Sequence, residues 1–65
     1  MSEIVKFWIK GLLENEINEA CETIKNEHIW ELGYNGEEPN PHTESIEMLK
    51  EYIEYLEEML DEIDD

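Results

Sequence analysis

The sequence predicts an all-α protein, an antiparallel αα-hairpin, and three observations carry that reading. Ile46, Leu49, Ile53, Leu56, Leu60 and Ile63 recur at spacings of 3-4-3-4-3, the a/d seam of a helix that packs lengthwise on another. Val5, Ile9, Leu13, Ile17, Ala20, Ile24 and His28 form a second stripe of helical period. Between them, "GYNGEEPNPH" (33–42) collects two glycines and two prolines, which end one helix and start the next. A connection that short makes the helices antiparallel.

The first helix is expected over about 2–32. Ser2 is a natural N-cap, and Gly33 stands where a left-handed C-terminal cap favours glycine. Trp8, Leu12 and Cys21 widen its stripe. Ile4 and Phe7 point away from Val5 and Ile9, so the first third is apolar nearly all round, as in a buried or docking segment. Gly11 weakens the helix interior by roughly 1 kcal/mol relative to alanine. Phe7, Trp8 and Trp30, with Tyr34, are aromatic anchors of the kind that fill a core end or dock a foreign protein.

Asn35-Gly36 is a turn dipeptide. The second helix is expected over about 42–63: Asn40 can cap it, Pro41 suits the first helical position, and Thr43 is a further capping candidate. Beside the seam runs a second apolar row, Met48, Tyr52, Tyr55 and Met59, about 100° around the helix. One neighbour cannot cover both rows and a hairpin supplies only one. The sequence therefore predicts a second copy and a homodimeric four-helix bundle. The expected oligomer core is Val5, Ile9, Leu13, Ile17, Ile24, Ile46, Leu49, Tyr52, Ile53, Leu56, Met59 and Leu60. In length and layout the chain resembles the small plasmid RNA-binding hairpin dimers.

Size points the same way. Sixty-five residues make one domain, 1–65, and a lone core this small rarely supplies more than about 3–5 kcal/mol. Cys21 is the only cysteine, so no intramolecular disulfide can help, and an unpaired thiol fits a reducing cytoplasm. Four lysines against nineteen acids give a net charge of −15. Such a chain is repelled by nucleic acid and anionic membrane and attracted to basic protein surfaces. "IVKFWIKGLL" (4–13) is too short to span a bilayer, and no small-residue cleavage site marks it as a signal peptide.

Residues 51–65, "EYIEYLEEMLDEIDD", hold eight acidic side chains and no base. The carboxyl end of a helix is already negative, so acids there cost some tenths of a kcal/mol each. Glu47, Glu51, Glu54, Glu58, Asp61 and Asp65 recur at 4-3-4-3-4 opposite the seam, with Glu57 and Glu62 beside them, and only Lys50 relieves the row. Rules broken without visible compensation tend to mark function. Glu47, Glu51, Glu54, Glu58, Asp61 and Glu62 are the candidate partner-binding residues. A rigid row of carboxylates imitates a polyanion, and its target would be a basic, nucleic-acid-handling protein. Very small, very acidic chains without catalytic motifs resemble viral inhibitors of host nucleases and defence enzymes in type, so a phage DNA mimic is one expectation. A structural or regulatory homo-oligomer with a merely solubilising face is the alternative.

No catalytic, cofactor or metal site is expected. HExxH, CxxC, EF-hand and glycine-rich phosphate motifs are absent, and His28 and His42 only bracket the loop among acids. Cys21 beside Glu22 is a poor thiolate. "TESIE" (43–47) is similar to the Ser-Gln-Glu-Leu-Asp motif early in the second helix of small hairpin phosphatases of sporulation-type response regulators. Glu47 stands where that motif has its essential aspartate. The resemblance implies, as a remote alternative, an aspartyl-phosphate phosphatase.

Overall fold

A computed structural model describes residues 2–64. Two helices, α1 (Glu3–Leu32) and α2 (Pro41–Asp64), lie against each other as an antiparallel hairpin about 52 Å long, 15 Å wide and 10 Å thick. The described residues contain no strand. Ser2 caps α1 as its sequence position predicts: its backbone is extended and its Oγ accepts from the Val5 amide at 3.2 Å.

The exit from α1 differs from expectation. Gly33 is right-handed, with φ −89° and ψ 0°, so the helix closes without a left-handed cap. The amides of Gly33 and Tyr34 donate instead to the carbonyls of Ile29 and Glu31, both at 3.3 Å. A Cβ at Gly36 would meet the tip of the Tyr34 ring, which would have to swing aside.

Helix α2 starts one residue earlier than predicted and ends one later. Asn40 holds its start with both ends of its amide. Oδ1 accepts from the His42 amide at 2.9 Å, and Nδ2 reaches back to the carbonyl of Glu31 at 3.0 Å. One side chain thereby caps α2 and ties it to the end of α1. Thr43, the other capping candidate, has a different role: its hydroxyl donates to the Glu31 carboxylate at 2.6 Å.

The core is small. Among the described residues only Leu13, Ala20, Ile46 and Leu56 are buried, while Ile9, Ile17, Ile24, Leu49, Ile53, Met59, Leu60 and Ile63 are half-buried along the seam. The predicted α1 stripe needs correction at both ends. Near the loop, His28 and Cys21 are exposed, and the half-buried positions are Glu27 and Glu31. Contact residues in α1 thus follow 13-17-20-24-27-31, the 4-3 rhythm of a packed helix pair, and the stripe leading to His28 drifts off it. At the other end Val5 is 41% exposed. Lys10 pairs with Asp64, and Glu3, Lys6 and Phe7 line a hollow with Ile63 and Asp64, so the contact side at this end runs through Lys6 and leaves Val5 one residue off it.

Candidate interaction surfaces

Four contacts fix the register between the helices and define what the hairpin shows to solvent. Near the loop, His42 Nδ1 donates to Glu27 at 2.6 Å, while its ring stacks on Trp30 at 6.3 Å and meets the edge of Tyr34 at 6.5 Å. Glu31 accepts from Thr43 and, at 3.1 Å, from His28. These two donors hold its carboxyl below the usual carboxylate range, Thr43 most strongly. At mid-length Tyr52 donates to Glu16 at 3.1 Å. Partial desolvation, and then that carboxylate, push the Tyr52 phenol up. At the open end the Lys10–Asp64 pair, 2.5 Å apart, raises the lysine above its ordinary value. It is the sole compensation among the described residues for the acids at the end of α2.

Two helices side by side make a flat layer with two broad faces and two edges. The outer edge of α2, opposite the seam, carries Glu47, Glu51, Glu54, Glu58, Asp61 and Glu62, and all six are exposed. None of them takes part in an ion pair among the described residues. Over the described residues the predicted row is therefore one continuous edge, and Asp65, its last member, lies outside them. At 1.5 Å rise per residue, Glu47 to Asp61 places a carboxylate roughly every 4.5–6 Å. One strand of duplex DNA carries a charge about every 3.4 Å, so the edge is a sparser row of the same order.

The broad faces differ sharply. Of the eleven large apolar side chains exposed among the described residues, seven lie roughly a quarter turn or more from the seam toward one face. On α1 they are Val5, Trp8, Leu12 and Trp30; on α2 they are Met48, Tyr52 and Tyr55. The Tyr52–Glu16 bond and an open groove of about 400 Å³ lined by Thr23, Glu27, Ser45, Met48, Leu49 and Tyr52 show that both sets belong to the same side. Glu16 and Glu19 share this face, and none of the four lysines does: Lys10 and Asp64 pair across the other side, Lys25 and Lys50 project there, and Lys6 sits at the seam. Covering seven such side chains is worth on the order of 1 kcal/mol or more each. Like charges at a wet rim cost only tenths each. Burial therefore outweighs the repulsion.

Sequence reasoning read the acidic row and the α2 apolar row from local periodicity, and Phe7, Trp8 and Trp30, its aromatic anchors, are all exposed in the hairpin. It missed Glu27 and Glu31 as seam residues. Their partners His42 and Thr43 lie 15 and 12 positions away, and nothing local announces the pairing. Glu47, the position matched to the phosphatase aspartate, stands on the outer edge, whereas Ser45 lines the groove. Among the described residues no three of His, Cys, Asp and Glu converge as a metal site would require, and no helix is long and apolar enough to cross a membrane. No protein-family model matches the chain, and neither a curated protein nor a solved structure does.

Proposed function

We propose that this chain is a non-enzymatic binding protein that works as a homodimeric four-helix bundle. The acidic edge of α2 engages a basic, nucleic-acid-handling protein and inhibits it as a DNA mimic would, in the manner of small phage inhibitors in the cytoplasm. One observation carries the reading. Six exposed carboxylates occupy a single straight edge, and no ion pair draws on them. An edge that served only solubility would mix signs, because interspersed lysines solvate equally well and spare the repulsion. Long-range attraction of this kind accelerates encounter and weakens with salt.

The test is charge reversal with the fold kept. Glu54→Lys with Glu58→Lys replaces two negative charges with two positive ones in the middle of the edge, far from the seam. The double variant should keep its helicity and lose capture of basic proteins from a host lysate at low salt. Undiminished capture rejects the proposal.

The extensive exposed apolar face favours a second reading, a structural or regulatory homo-oligomer whose acidic edge only keeps it soluble. Under it the double variant changes nothing but the isoelectric point.

A further inference from the structure

The apolar face and the distribution of charge specify how two copies meet. We propose that the homodimer forms by stacking the Leu12–Tyr52–Met48 faces of two hairpins about a two-fold axis parallel to the helices, so that α1 of each copy lies on α2 of the other and the acidic edges point in opposite directions. The inference rests on the dimeric part of the functional reading and is independent of whether the acidic edge binds a partner.

The amount of surface fits a second copy. The seven exposed apolar side chains of this face offer on the order of 800 Å² per copy, the size that each side of a stable complex buries. The face is also flat, and its centre falls near the Tyr52–Glu16 bond, midway along both helices, where a two-fold axis can pass.

Charge selects the axis. Face-to-face stacking permits two symmetric arrangements. An axis across the helices sets α2 against α2, brings both acidic edges to one side, and lays two carboxylate-rich helices together. An axis along the helices sets α1 against α2 and preserves height along the layer. Residues 4–13 of α1, which hold Lys6 and Lys10 and no acid, then cover the last two turns of the partner's α2, the most acidic stretch of the chain. Like charges separate, so the second arrangement wins. It also spares the C-terminal acids a second acidic helix, since the segment of the other chain that covers them holds no acid. The finished dimer shows one anionic edge on each side and can hold two basic surfaces at once.

Engineered thiols read the arrangement directly. In a Cys21→Ser background, chains carrying Leu12→Cys are mixed with chains carrying Met59→Cys and oxidised. The inference expects a disulfide-linked heterodimer, and it expects Tyr52→Cys chains not to link to each other. Self-linked Tyr52→Cys chains together with unlinked mixed chains overturn it. Sedimentation equilibrium supplies a second check. The wild type should be dimeric, tightening at least several-fold as salt rises. Tyr55→Glu should be a helical monomer by sedimentation and circular dichroism, and Phe7→Glu, outside the face, should remain dimeric. A wild type that is monomeric at high salt, or a dimer split by Phe7→Glu and not by Tyr55→Glu, also overturns the inference. A confirmed dimer that captures no basic protein refutes the functional proposal alone.

Discussion

The outer edge of α2 and the broad face beside it are a quarter turn apart on the same helix, yet they obey opposite rules. The edge is charge without apolar surface, and the face is apolar surface with two carboxylates and no base. Salt weakens whatever the edge attracts and strengthens whatever the face associates with, because screening removes attraction in one case and repulsion in the other. A single helix can thus serve two kinds of contact that do not compete, provided the seam holds both in register.

The largest effect should come from breaking that seam. Leu56 is buried, 5% exposed, at the centre of α2. Leu56→Asp leaves a carboxylate in the buried seam between the helices and should cost roughly 3–5 kcal/mol, most of the stability of so small a chain. Circular dichroism should show loss of helix and sedimentation a loss of dimer, abolishing edge and face together. A folded Leu56→Asp dimer would mean that the seam is not what orders the two surfaces.

A smaller loss is expected at the loop. His42→Ala removes the bond to Glu27 and the stack on Trp30, leaving a half-buried carboxylate without its partner. Chemical denaturation should register about 1–2 kcal/mol, and Trp30 fluorescence should shift while the acidic edge keeps its partner. Gly11→Ala tests the opposite sign. Nothing lies within 4 Å of a Cβ placed there, so alanine should stabilise α1 by up to about 1 kcal/mol, visible as a higher midpoint of thermal unfolding.

The smallest effect is alkaline. Both Lys10 and Tyr52 have raised values, so each contributes stability that is complete below its ordinary titration range and is lost as pH climbs through its folded value. Helicity should therefore hold through neutral pH and decline only above about 10. In Tyr52→Phe the decline should keep only its lysine part, and identical profiles would disprove a role for the Tyr52–Glu16 bond.

The helices, their antiparallel order and the acidic edge were legible because each rests on local periodicity, and the Ile46–Ile63 row needs no knowledge of its partner. The loop end was not legible. Glu27 and Glu31 read as ordinary solvated acids until folding brings His42 and Thr43 against them, and His28 read as seam because a stripe of mainly four-residue steps drifts away from the side that a packed partner selects. Gly33 fits a left-handed cap by residue type, yet a right-handed exit satisfied the last carbonyls equally well. Val5 follows the stripe, but the half-buried side at that end runs through Lys6, the same drift that displaces His28.

The claim that the edge is a recognition surface has one direct measurement: capture of basic proteins by the wild type and by Glu54→Lys with Glu58→Lys, compared at about 50 mM and about 500 mM salt. The account predicts strong capture by the wild type at low salt, its loss at high salt, and none by the double variant at either, with helicity and dimer unchanged. Equal capture by both proteins, or capture indifferent to salt, would contradict it.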